Sequence, residues 1–337
     1  MCDTAGLAAA GLGLRLRAVM MREEENVKLG TRWAALAALA MIATACSNGG
    51  AASTAPTKAP ATQTPATEAP ATAAATAAPA SEVPIAAPTS LITAGTIVDC
   101  VDIEYPPMEY FPSADVTDPN QAIGFDVDAA KAVAAKLGLQ ITIRNTGFDA
   151  LIPDLQAGRC DIVWSALYVS EKRLAVADAV PYMATGQVVM VPVGNPKAIK
   201  LEADLCGKTV SIQSAGLVEQ RINAAIDACV AAGKAAITIQ GYAKVADEFQ
   251  QIVIGRVDAV WETDTAVSDF MIKNPGKYEV AYALARDDNY GVYFGKGKAD
   301  IGTAFTAALK ALLADGSLGT IAGKYEMDPA ILSDAIK

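Results

Sequence analysis

The chain has no histidine in 337 residues. That absence excludes the usual catalytic triads, His-containing zinc sites and imidazole acid-base chemistry. Aromatic residues are sparse at 6%, and basic residues number 27 against 37 acidic ones, for a formal charge of -10. Without a strong basic field to displace phosphate counterions, the chain is not a nucleic-acid binder. No two cysteines have the close spacing of a metal site. What the chain does have is 52% hydrophobic content, enough for one or two substantial cores at this length.

Residues 28–46 read KLGTRWAALAALAMIATAC. Lys28 and Arg32 precede an uncharged, mostly apolar run that is too short to span a bilayer and has the plan of a secretory signal. Its end, Ala43-Thr44-Ala45-Cys46, resembles the bacterial lipobox, in which the cysteine is lipidated and becomes the mature N-terminus; Ala43 replaces the commoner leucine. A buried apolar helix, or a plain signal with a chance cysteine, is the rival reading. Three glutamates in MREEEN at 21–26 stand where a signal peptide should be basic, which points to a later translation start, at Val27. The expected leader is 1–45. From 46 to 90 the sequence is dominated by Ala, Thr and Pro, which cannot bury enough surface to offset ordering entropy and predicts an extended tether.

The folded part is expected over 91–337. GTIVDCV at 95–101 reads as a strand. GFDVDAAKAVAAKLG at 124–138 reads as a helix capped by Asp126, with Ala130, Val133, Ala134 and Leu137 on one face and Gly138 ending it. FDALIPDLQAGRC at 148–160 reads as a second helix leading into the strand DIVW. A near repeat stands out: LQAGRCDIVW at 155–164 and IVIGRVDAVW at 252–261. Each copy closes a stretch of alternating helix and strand, which implies two similar α/β lobes. Ligands of open α/β sheets bind beyond the carboxyl ends of the strands, so two facing lobes make a cleft.

Cys2 falls in the leader and Cys46 is assigned to the lipid, which leaves Cys100, Cys160, Cys206 and Cys229. An even count in an exported domain favours disulfides, with three pairings possible. The pairing of Cys100 with Cys160 and of Cys206 with Cys229 is favoured because neither bond crosses the cleft. Four buried free thiols are the alternative.

Seven blocks, in order, resemble the bacterial extracellular solute-binding proteins of family 3, the polar amino-acid receptors of ATP-driven importers. They are YPPMEY at 105–110, GFDVDAAKAVAAKLG at 124–138, FDALIPDLQAGRCD at 148–161, SEKR at 170–173, LCGKTVSIQS at 205–214, GRVDAV at 255–260 and LLADGSLGTIAGKY at 312–325. The resemblance implies a type II periplasmic-binding-protein-like fold: two Rossmann-like α/β lobes joined by two hinge strands. Lobe 1 is expected over 91–185 and 287–337, and lobe 2 over 186–286. It also implies a ligand site. Tyr105 and Phe148 would form walls, Ser165 and Ala166 would offer backbone groups to a carboxylate, and Arg173 would clamp it through a bidentate guanidinium. Ser214, Ala215 and Gly216, opening a helix, would add N-H groups, and Asp102 would lie near the ligand's distal end. Each has a plainer reading: core aromatics for Tyr105 and Phe148, a cap for Asp102, a simple turn for 214–217, a surface charge for Arg173.

Three departures fall in that site. Tyr168 stands where the family has a small hydroxyl residue. Ala215-Gly216-Leu217 replaces a G-T-T pattern. Thr263 occupies the place of the aspartate that pairs with a ligand ammonium, flanked by Glu262 and Asp264. Because strand side chains alternate between faces, neither neighbour is expected to replace it without a bulge or the end of the strand. The leading expectation is a non-enzymatic, monomeric, lipid-anchored receptor on the outer face of the cytoplasmic membrane. It would need no cofactor or metal and would deliver an amino acid or similar small carboxylate to an ABC permease and its ATPase. A periplasmic enzyme on the same scaffold, cyclohexadienyl dehydratase-like and using Glu262 or Asp264, is the alternative, with a sensor component as a third.

Overall fold

The computed structural model describes residues 84–336. The expected leader, Cys46 and most of the tether lie outside the described residues. The tether's last residues differ from expectation, because Pro88 is buried and Ile85 packs against the large buried cluster that holds Trp164. The cause is Asp300, whose carboxylate accepts from the amides of Thr89 and Ser90 at 2.8 and 2.9 Å and from the Ser90 hydroxyl at 2.6 Å.

The first segment holds β1 (Thr96–Val101), β2 (Glu104–Tyr105), β3 (Glu109–Tyr110), α1 (Phe125–Lys136), β4 (Gln140–Asn145), α2 (Leu151–Gln156), β5 (Ile162–Val163), α3 (Glu171–Leu174) and β6 (Ala177–Thr185). A second lobe follows with β7 (Gln187–Pro192), β8 (Thr209–Gln213), α4 (Leu217–Ala231), β9 (Thr238–Tyr242), α5 (Val245–Val253), β10 (Ala259–Thr263), α6 (Asp264–Lys273) and β11 (Tyr278–Ala283). The chain then returns through β12 (Asp288–Gly295), α7 (Ala299–Ala314), α8 (Ser317–Lys324) and α9 (Ala330–Ser333).

Two five-stranded sheets result, ordered β4-β1-β5-β12-β6 and β11-β7-β10-β8-β9. In the first, β1 is parallel to β4 and β5, while β12 runs antiparallel to β5 and β6. In the second, β8 is parallel to β9 and β10, while β7 is antiparallel to β10 and β11. The chain passes between the sheets at Gly186 and again at 284–287. These crossings lie close together: a Cβ on Gly186 would sit 3.3 Å from the Arg286 Cα, so a larger residue there would push on the second crossing.

The sequence repeat has a physical meaning. Gly158 and Gly255 both adopt left-handed φ, at 67° and 70°, where glycine costs least. The aspartate two residues after the arginine then accepts an amide from the neighbouring strand: Asp161 from Val98 at 2.9 Å, Asp258 from Thr209 at 2.9 Å. Each copy ends in a fully buried tryptophan, Trp261 in a cluster confined to the second lobe and Trp164 in the larger cluster that runs through both. Cys100–Cys160 and Cys206–Cys229 are disulfides with Cα separations of 5.7 and 5.6 Å, each within one lobe.

Candidate functional site

The site begins where the β2–β3 ribbon meets the start of α1. Gly124 makes that meeting possible, since a Cβ there would lie 2.1 Å from the Met108 carbonyl oxygen. Asp126 does not cap the helix, as its pattern suggested; Gly124 holds the N-cap position without a side-chain bond. Asp126 is instead fully buried and accepts from the Ala166 amide at 2.7 Å and the Tyr182 hydroxyl at 2.6 Å. These partners are 40 and 56 residues away in sequence, so no local pattern announces them.

Ser165 and Ala166 follow β5. The Ser165 hydroxyl donates to Glu109 at 2.8 Å and accepts from the Asp102 amide at 3.0 Å. Ala166 adopts a left-handed φ of 43°, which for a residue with a Cβ costs ~1–2 kcal/mol. Its amide bond to Asp126 holds that conformation. Glu109 and Asp126 face each other as a buried carboxyl pair, and burial raises the pKa of both.

Arg173, near the end of α3, donates to the Tyr168 carbonyl at 3.0 Å and lies 5.7 Å from the Phe148 ring centroid. Burial lowers its pKa, partly offset by Tyr293. Among the described residues no carboxylate pairs with it. It lines a cavity of about 370 Å³ together with Phe148, Ser170, Lys172, Ala215 and Leu217.

A second, deeper cavity of about 20 Å³ lies between the lobes, with Tyr105, Ser165, Tyr168, Gln213, Glu262 and Thr263 in its lining. It has room for about one water-sized group. Phe148 and Leu217 line both cavities and form their shared wall. Tyr168 fills the inner region rather than turning away: it is 4% exposed, its ring centroid lies 5.2 Å from that of Tyr290, and its hydroxyl donates to the Gly186 carbonyl at 3.2 Å.

The lobes touch across this inner cavity. The Tyr105 hydroxyl donates to Glu262 Oε1 at 2.8 Å and lies 2.6 Å from Thr263 Oγ1. Lys244 pairs with Glu104 nearer the rim. Thr263 ends β10 and caps α6, its hydroxyl accepting the Ala266 amide at 3.2 Å. Glu262 is the residue that strand alternation misplaced. Its carboxylate curls back to accept its neighbour's amide at 2.7 Å and so reaches the same tyrosine as Thr263. Alternation fixes the direction of Cβ, but three further torsions and the end of the strand free the carboxylate from it.

Asp102 is 5% exposed, and its carboxyl is pushed up to about 7 by burial, with repulsion from Glu104 adding to it. On the second lobe, the Ser214 amide donates to the Tyr242 carbonyl at 2.8 Å and the Ala215 amide to Glu219 at 2.7 Å. Both amides are thus engaged within the lobe. Gly216 stands at the N-cap of α4 and lines the inner cavity.

The family model of bacterial extracellular solute-binding proteins, family 3, matches residues 97–328. The L-cystine-binding protein TcyJ of Escherichia coli (strain K12) is 25% identical over 232 residues, spanning 68% of this chain and 82% of that protein. Among solved structures, an ancestral arginine-binding protein bound to arginine aligns with a TM-score of 0.62 at 28% identity, covering 68% of this chain and 98% of that one. The ancestral amino acid-binding protein AncCDT-1, a precursor of cyclohexadienyl dehydratase, aligns with a TM-score of 0.59 at 26% identity, covering 68% and 95% respectively.

Proposed function

Because the chain belongs to the bacterial extracellular solute-binding proteins, family 3, we propose that it is the substrate-binding component of an ABC importer. It captures an amino acid between its lobes and hands it to a membrane permease driven by an ATPase subunit. The protein works as a monomer, held at the outer face of the cytoplasmic membrane by a lipid on Cys46.

The observation that carries this reading is Arg173, a partly buried guanidinium that has no carboxylate partner among the described residues, at the wall of a cavity of about 370 Å³. A desolvated cation of this kind is stabilised by an incoming carboxylate, and exclusion of water strengthens the pair. Phe148 stacks beside it. Across the shared wall of Phe148 and Leu217 stands the carboxylate of Glu262, of the sign that an ammonium requires. A ligand reaching from Arg173 to Glu262 passes between those two side chains and contacts both lobes, which couples binding to closure. Tyr105, Tyr168 and Thr263 line the inner end, with Asp102, Ser165, Ala166, Ser214, Ala215 and Gly216 positioning the loops around it.

Thermal-shift screening tests this directly, using the twenty amino acids, cystine and the deaminated counterpart of each hit. At least one amino acid should raise the melting temperature in a concentration-dependent way, and its deaminated form should do so less. A panel without any stabilising amino acid or small carboxylate would refute the proposal.

A further inference from the structure

Helix α5 carries a buried carboxyl beside the cleft. Glu248 is 0% exposed, and neither of its carboxyl oxygens has a hydrogen-bond donor. The group it faces is Glu262, itself 3% exposed. Two acceptors face each other stably only when one of them carries a proton. Glu262 Oε1 already takes two donors, the Tyr105 hydroxyl at 2.8 Å and the Thr263 amide at 2.7 Å. Those bonds favour charge on Glu262 and leave the proton on Glu248. Around the pair stand Tyr105 from β2, Gln213 from β8 and the Thr263 backbone, with Tyr168 and Tyr290 close to Tyr105. None of these is a cation, and among the described residues no lysine or arginine pairs with either glutamate.

We infer that Glu262, with Glu248 buried behind it, receives the cationic group of the ligand, and that seating a cation there expels the proton the two carboxyls share, so capture releases a proton to solvent. The inference rests on the amino-acid reading of the cleft and deepens it. The inner cavity that Glu262 lines, about 20 Å³, suits a water-sized group such as an ammonium. Without a cation, two buried charges side by side are prohibitively unfavourable, and the pair keeps one proton. A bound ammonium supplies the missing countercharge. The O–H bond of Glu248 then breaks, its electron pair stays on the carboxylate, and the proton passes to water. Burial raises the pKa of both members, which keeps that proton in place in the unliganded protein. The sign follows: affinity rises with pH up to the pair's ionisation and is flat above it.

The test is isothermal titration calorimetry with the best amino acid from the screen, in buffers of differing protonation enthalpy. The wild type should release about one proton per ligand where the pair is protonated, with affinity rising about tenfold per pH unit there. Glu248→Gln should bind without proton release, and Glu262→Gln should lose about 100-fold in affinity. An infrared difference spectrum of the wild type needs no variant and should lose a protonated-carboxyl band on binding. Binding without proton release, release that persists in Glu248→Gln, or an unchanged carboxyl band would overturn the inference while leaving the amino-acid reading intact. Failure of every amino acid to bind would remove the reading itself.

Discussion

The Tyr105 hydroxyl and Glu262 Oε1 lie 2.8 Å apart, one on each lobe. Burial and the neighbouring glutamate raise the tyrosine's pKa, which keeps it protonated and donating. With the adjacent Thr263 hydroxyl at 2.6 Å, this contact spans the deepest part of the cleft. It exists only while the lobes are together; when they part, water must serve the same groups.

Tyr105→Phe should therefore act on the closure equilibrium more than on folding. A hydrogen bond to a charged acceptor contributes ~1.5–3 kcal/mol, and most of that belongs to the closed form. Small-angle scattering of the unliganded variant should show a larger radius of gyration than the wild type, with ligand affinity down about tenfold. An unchanged radius at unchanged affinity would mean that the link does not govern closure.

How much of this was legible depended on whether a residue's role is local. The paired GRCD and GRVD segments announced two lobes because Asp161 and Asp258 do the same job beside equivalent strands. The disulfides were legible for a related reason, since each closes within one lobe. Glu262 was not, because periodicity describes Cβ directions and says nothing of a carboxylate folding back on its own backbone. Nor was Asp126, whose position in a first helical turn resembles a cap while its partners come from β6 and the loop after β5. Glu248 gave no signal at all: on α5 it reads as an ordinary helix former, and only the fold turns it toward Glu262.

Arg173→Ala should reduce ligand affinity by about 100-fold or more, since the ligand carboxylate would be left desolvated without its counterion. The unliganded protein should lose little stability: among the described residues Arg173 has no acidic partner to lose, only its bond to the Tyr168 carbonyl and its contact with Phe148, and its burial already works against its charge. Calorimetry and thermal melting separate the two effects. A large fall in unliganded melting temperature would identify Arg173 as a structural residue.

Asp102 gives a pH-dependent prediction whose sign is fixed by burial. Its carboxyl ionises at about 7 in the folded protein and near 3.9 when unfolded. Between those values the folded state holds the extra proton, so this group's contribution to stability falls as pH rises from about 4 to about 7. Asp102→Asn removes the titration. Relative to wild type, the variant should melt at a similar temperature at pH 4 and clearly higher at pH 8, a gain on the order of 4 kcal/mol. Equal melting temperatures at both pH values would show that Asp102 is solvated in solution.

Tyr168→Ser tests what limits the inner chamber. The tyrosine's ring packs on Tyr290, yet its carbonyl, the acceptor for Arg173, belongs to the backbone and survives the substitution. The carboxylate clamp should therefore persist while the inner cavity grows by most of an aromatic ring. Loss of a buried ring costs ~3–5 kcal/mol when the void stays dry; with Tyr105, Glu262 and Thr263 in the lining, water can enter and reduce that cost. The unliganded variant should melt several degrees lower, and amino acids with more bulk near the ammonium should gain affinity relative to the wild type's best ligand. The same ranking across the panel would show that the chamber's size is set elsewhere, with Phe148 and Leu217, the wall between the two cavities, the next side chains to shorten.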